Sequence, residues 1–262
     1  MNSSRSEPSS LLIAPAAETS APGVWLAPAA SAQHATRLDA AELRRRAPAM
    51  LAGGRLVLEQ IRLDHAPMLR EAVLTSRAEL GFIDWAQGLW DLERARRFCR
   101  KGAAAVADGG YLCYLAFELA LPRPATAPST TSPLAASRPP GLGERLLGVS
   151  SRPLRGRYVG LLDLHSFDWQ VPRCQIGYVG DSAQRGKGLM REAALFLMQT
   201  AHGWGVHRIE AWCDARNLRS QHFAGVLGLS YEGRLRHASV DPQGRYCDEL
   251  VYARVAEDAW PG

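Results

Sequence analysis

The feature that most restricts the fold is a junction. A strand-like segment, Cys174–Val179, passes through Arg185-Gly186-Lys187-Gly188 into a segment beginning at Leu189, where Met190, Ala193, Ala194, Leu197, Met198 and Ala201 recur at three- and four-residue intervals. This predicts a strand, a glycine-rich turn and a helix that Gly203 and Gly205 stop. A helix with one apolar stripe must cover something, and the strand before it implies a sheet. The turn has a chemical consequence as well. The first helical amides lack intrahelical partners and the peptide dipoles are aligned behind them, so that end favours an anion. Arg185 and Lys187 add positive charge, and Gly186 and Gly188 allow close backbone approach. Neither a Gly-x-x-x-x-Gly-Lys-Ser/Thr loop nor a Gly-x-Gly-x-x-Gly fingerprint after the first strand is present.

Periodicity supplies the remaining elements. Arg55–Ile61 alternates as a short strand, and Asp64 opens a helix through Ser76. Asp91 caps a second helix carrying Leu92, Ala95, Phe98 and Ala105, and Tyr111–Leu119 is a buried strand. Tyr158–Leu164 and Cys174–Val179 form a hairpin, Val206–Trp212 a strand, and Asn217–Leu227 a short helix ended by Gly228. Two long strands, Tyr231–Val240 and Tyr246–Val255, flank Asp241-Pro242-Gln243-Gly244, which suits a type I turn. The order implies an α/β (α+β) domain, a mixed sheet with helices on both faces.

Composition sets the boundaries. The chain has 262 residues, of which 47% are hydrophobic, enough for a buried core. Residues 1–53 are rich in Ala, Pro and Ser and are expected to be a disordered tail, and a Pro-rich run at about 121–153 reads as a disordered insertion. The domain is expected over 54–256, with a short tail at 257–262. No run approaches the about 18 apolar residues of a spanning helix, and no leader pattern is evident, so the expectation is a cytoplasmic protein with no membrane partner. Five widely spaced cysteines without a Cys-x-x-Cys pair signal neither disulfides nor zinc, and the seven histidines show no ligand spacing, so no metal is expected. The net charge of +5 and the runs Arg44–Arg46 and Arg94–Lys101 read as solvated helix faces, which makes nucleic acid an unlikely partner. Either a monomer or a homodimer is compatible with this reading.

Residues 174–190, Cys-Gln-Ile-Gly-Tyr-Val-Gly-Asp-Ser-Ala-Gln-Arg-Gly-Lys-Gly-Leu-Met, resemble the core of the GNAT acetyltransferases. His207–Trp212, Asn217–Ser220, Tyr231–Arg236 and Tyr252–Val255 follow in the order of the RimJ/RimL-type branch. The match is strong over the C-terminal third and looser back to Arg55. The resemblance implies a GNAT fold with a mostly antiparallel sheet and acetyl-CoA as the acyl donor. It places the pantetheine arm along Tyr178, Val179 and Gly180, and the pyrophosphate on Arg185, Gly186, Lys187, Gly188, Leu189 and Met190. Met190 stands where Gly or Ala is commonest in the family. Asn217 is implied beside the cofactor sulfur, with Ser220 as the group that protonates or hydrogen-bonds the thiolate, because the tyrosine many members use is Ala224 here.

The resemblance supplies no general base. Members of the wider family often place Glu where Gln175 stands, and the ribosomal-protein branch can carry a carboxylate near the position of Ser239; neither residue is ionisable here, which leaves Asp163, His165 and His237 as candidates. A protein α-amine, with pKa about 7.7–8.0, is partly neutral near neutral pH, whereas a lysine at about 10.4 is almost fully charged. This favours an N-terminal α-amine as acceptor. Phe82 and Trp85 are expected to form the substrate entrance, with core burial as the competing reading of each. The alternatives are a polyamine- or aminoglycoside-like acceptor, for which Asp84 and Asp91 speak, or a non-catalytic acyl-CoA-binding protein.

Overall fold

The computed structural model describes residues 38–120 and 155–261. The proposed insertion at 121–153 and residues 1–37 of the expected tail lie outside these residues. The chain begins with α1 (Ala40–Arg46) and the hairpin of β1 (Met50–Gly53) and β2 (Leu56–Gln60). Then come α2 (Ala66–Thr75), α3 (Leu92–Asp108), β3 (Leu112–Leu119), β4 (Arg155–Asp168) and β5 (Arg173–Gly180). The domain closes with α4 (Leu189–Gly203), β6 (Arg208–Asp214), α5 (Leu218–Val226), β7 (Ser230–Val240) and β8 (Tyr246–Val255). The strands form one sheet in the order β1-β2-β3-β4-β5-β6-β8-β7, with every neighbouring pair antiparallel except β5–β6.

Strict alternation along the central strands builds two cores. Leu56 and Leu58 of β2 and Leu112, Tyr114 and Ala116 of β3 face α1 and α4, while Val57, Cys113, Leu115 and Phe117 face α2 and α3. Strands apolar on both faces require helices on both, which accounts for the layered arrangement. Local signals start and stop these helices. The Asp91 carboxylate accepts from the Arg94 amide at 2.7 Å at the start of α3, and Gly109, with φ 85°, ends it. The helix expected to open at Asp64 is preceded by a 3-10 turn, Leu63–His65, and has Pro67 in its first turn.

Both ends of the domain extend beyond their expected limits. Residues 38–53 are built into the fold. Asp39 caps α1 by accepting from the Glu42 amide at 2.8 Å, Leu43 is fully buried, and Arg46 donates to the Trp204 carbonyl at 2.7 Å. The strand β1 pairs with β2 from Met50↔Glu59 to Gly53↔Leu56. Leu38, Leu43 and Ala47 suffice to dock a two-turn helix, a signal too short to emerge from the surrounding Ala, Ser and Pro. At the other end, Trp260 lies 3.5 Å from the Arg254 guanidinium, and Asp258 accepts from the Val255 amide at 2.9 Å. This C-terminal segment therefore packs against β8. All five cysteines are buried free thiols. No helix among the described residues is long and apolar enough to cross a membrane, and no cluster of three or more ligand-type side chains there could hold a metal ion.

Candidate active site

The parallel pair β5–β6 holds for only three rungs, Arg173↔Arg208, Cys174↔Ile209 and Gln175↔Glu210. Beyond Gln175 the strands diverge. β5 stays on β4, with Leu162↔Tyr178, Leu161↔Val179 and Gly160↔Gly180, while β6 continues against β8. From Gly177 to Gly180 the outer edge of β5 therefore has no strand beside it, and alternate backbone N–H and C=O groups face the gap.

Two hydroxyls meet across this gap. Tyr178 donates to the Ser220 carbonyl at 3.2 Å, and its oxygen lies 3.1 Å from Ser220 Oγ. Ser220 is placed by the start of α5, where its amide donates to the capping Asn217 Oδ1 at 3.1 Å. The Tyr178 ring packs edge-on against Phe223 at 4.8 Å, and burial pushes its phenol up to about 12, so it remains a proton donor at neutral pH. Ala224 is fully buried. The resemblance places Tyr178 on the cofactor wall, and only the packing of β5 against α5 brings its hydroxyl to Ser220.

The gap opens into a cavity of about 500 Å³. Tyr178, Ser220, Asn217 and Cys213 form one wall, Phe82 and Asp84 another, and Glu249 with the β7–β8 turn a third. Cys213 is a buried thiol whose pKa is raised, first by that burial. Arg216 binds Asp214 Oδ1 at 2.9 Å and Asp241 at 3.3 Å, and Arg245 binds Asp241 at 2.8 Å. Asp214 is held below the ordinary carboxylate range chiefly by its hydrogen bonds from Arg216. Asp241 is lowered to about 2, first by the hydrogen bond from the Arg245 amide; burial opposes this, and the Arg245 side chain adds to the lowering. Both arginines of the wall are thus already paired.

The glycine turn lies at the other end of the gap. Gly186 and Gly188 adopt φ 79° and 72°, and a β-carbon at either would meet no atom within 4 Å, so the space over them is open. The Leu189 and Met190 side chains point inward. Leu189 is in the core, and Met190 packs over Gly160 and Gly180. Arg185 pairs with Glu79, which also binds Arg219 at 3.0 Å, and Lys187 donates to Gln184 at 2.7 Å.

The two aromatics expected at an entrance separate. Phe82 is 42% exposed, lines the cavity and has the Arg216 guanidinium 5.9 Å from its ring centre. Trp85 packs between Trp90 at 5.6 Å and Phe98 at 4.7 Å and is absent from the cavity wall. Of the three base candidates, none lines the cavity. Asp163 and His165 lie 3.0 Å apart on β4, and His237 sits at a bulge of β7 with φ 50°, its ring stacked on Tyr246.

Comparison with known proteins agrees with this architecture. A probable N-acetyltransferase of Bacillus subtilis (strain 168), YjcK, is 38% identical over 84 residues, which are 32% of this chain and 46% of that protein. The match thus spans about half the length of that relative. An acetyltransferase that modifies the N-terminal serine of a 50S ribosomal subunit protein of Salmonella typhimurium superposes with a TM-score of 0.60 at 21% identity, covering 78% of this chain and 97% of the other. The microcin C7 self-immunity acetyltransferase MccE, solved with acetyl-CoA and AMP, gives 0.61 at 16% identity, covering 80% and 97%. At these identities the two structures share the fold. Residues 55–230, most of the chain and including the splayed strands and the glycine turn, match the family model of the acetyltransferase (GNAT) domain, and the chain belongs to the GNAT acetyltransferase family.

Proposed function

We propose that the protein transfers an acetyl group from acetyl-CoA to a protein N-terminal α-amine, by direct attack in a complex that holds donor and acceptor together. The observation that carries this reading is the loss of pairing between β5 and β6 next to the Tyr178–Ser220 hydroxyl pair, opening on the cavity. An amide-bearing arm such as pantetheine satisfies the free backbone edge of Tyr178, Val179 and Gly180 as an added strand would. The open turn at Gly186 and Gly188 receives the pyrophosphate on the amides that begin α4. Arg185 exchanges Glu79 for phosphate there, and Lys187 adds a second cation.

Acyl transfer passes through a tetrahedral oxyanion and expels a thiolate, so a site of this kind needs hydrogen-bond donors where charge appears. In this reading Ser220 and Tyr178 serve the sulfur, which their adjacent hydroxyls support. The cavity on the acceptor side is large enough for the first residues of a peptide, with Phe82 at its rim. The Salmonella relative that modifies an N-terminal serine supports an α-amine as acceptor.

The test is release of free thiol from acetyl-CoA over a panel of peptides, polyamines and aminoglycosides, with mass spectrometry of the product. Acetylation at a peptide α-amine is the expected result. Turnover with small amines alone would overturn the acceptor class, and tight acetyl-CoA binding without thiol release to any amine would overturn the enzymatic reading.

A further inference from the structure

We propose that Glu249 takes the proton from the incoming amine and that the cavity therefore admits its acceptor as a cation. This rests on the transfer reading above. Glu249 lies on β8 directly opposite Asp214 of β6, so the two side chains share a face of the sheet, and both line the cavity. Like charges placed opposite one another in a ladder destabilise it. Asp214 is compensated by Arg216, whereas Glu249 makes no ion pair or side-chain hydrogen bond among the described residues. A fold that keeps an uncompensated carboxylate beside another one breaks a local rule where a visiting cation would repair it.

The other groups facing the cavity sharpen the assignment. Cys213 and Asp214 come from β6, Arg216 from the segment after it, Tyr178 from β5, Cys247 from β8, Asp241 and Arg245 from the β7–β8 turn, and Asp84 from the segment between α2 and α3. The two guanidiniums are matched by Asp214 and Asp241, so the uncompensated charge comes from Asp84 and Glu249. Asp84 is exposed, whereas Glu249 is half-buried in the sheet between β6 and β7. The sheet face that carries Glu249 and Trp212 is opposite to the one that carries Ala211 into the α4 core. Proton removal from the amine and proton delivery to sulfur are thereby assigned to different walls.

The step balances. The Glu249 carboxylate takes one proton from the ammonium, and the neutral nitrogen attacks the thioester carbonyl carbon to give an adduct with N⁺ and O⁻. The carbonyl reforms as the C–S bond breaks, and the second N–H proton passes through the Ser220 hydroxyl to the departing thiolate. Products are the amide and free thiol, and Glu249 returns its proton to water.

The experiment compares wild type with Glu249→Gln and Glu249→Asp, using acetyl-CoA and a peptide acceptor, between pH 6.5 and 9. For Glu249→Gln we expect kcat to fall about 100-fold at pH 6.5. The gap should narrow to about threefold at pH 9, where an α-amine of pKa about 7.7–8.0 is already neutral. Acetyl-CoA affinity should stay within about twofold of wild type, Tm should be equal or higher because the like-charge pair is relieved, and Glu249→Asp should recover part of the rate. A pH-independent loss, an unchanged kcat, or loss of acetyl-CoA binding and Tm together would each overturn the role of Glu249 while wild-type turnover stands. Absence of turnover in the wild type would instead overturn the transfer reading and this one with it.

Discussion

Gly160 is a position where one missing carbon decides the packing. A β-carbon there would lie 2.6 Å from the Met190 sulfur and 2.6 Å from the Val179 carbonyl oxygen. The sulfur belongs to a flexible side chain, but the carbonyl is part of the β4–β5 ladder and cannot step aside. Gly160→Ala is expected to cost about 1–3 kcal/mol, measured by urea unfolding, as overpacking of a filled interior does. His202 is a second such position. Its Nδ1 lies 2.7 Å from the Val206 carbonyl oxygen, and burial pushes the imidazole down to about 4, with Arg254 adding to the depression and Val206 and Glu257 opposing it. The unfolded chain takes up a proton near its ordinary pKa of about 6.5, which the folded state resists. Stability from this residue is therefore complete above about pH 6.5 and declines as pH falls toward 4, by up to about 1.4 kcal/mol per pH unit. Denaturant midpoints measured from pH 7.5 to 4.5 should show that slope, and His202→Gln should flatten it.

Among the elements, α1 and β1 make the largest difference to where the domain begins. Leu43 has no exposed surface and sits in the same core as Leu197 and Trp204 of the α4 region. Leu43→Ala is expected to destabilise by about 2–5 kcal/mol, read as a lowered denaturation midpoint; an unchanged midpoint would mean that α1 is not docked in solution. The other helices were legible because their signals are local. Asp91 and the glycines that end α3 and α4 act on amides and carbonyls within one turn, and the alternation in β2 and β3 can be read from neighbouring residues. The early helix was not legible, since seven residues within a long Ala- and Pro-rich stretch do not alter its average. Nor was the fate of Phe82 and Trp85. They stand three residues apart in a segment without helical or strand period, so their directions depend on Trp90 at the end of that segment and on Phe98 and Arg216, which come from elsewhere in the chain.

At the scale of the whole molecule, the glycine turn was legible and the acceptor side was not. Gly186 and Gly188 act through their own backbone, whereas Glu249 acquires its surroundings only when β8 takes its register against β6 and β7. The same holds for Tyr178, whose hydroxyl reaches Ser220 across 42 positions of sequence. Leu119 at the end of β3 stands opposite Arg155 at the start of β4, so the chain leaves the sheet and re-enters it at a single rung. Joining those two ends needs only a tight turn, and closure entropy grows slowly with loop length. Replacement of residues 121–153 by a short Gly- and Asn-containing turn should leave Tm within a few degrees of the full chain. That rung is then a natural splice point, where lineages could lengthen, shorten or exchange a cassette without renegotiating the catalytic architecture.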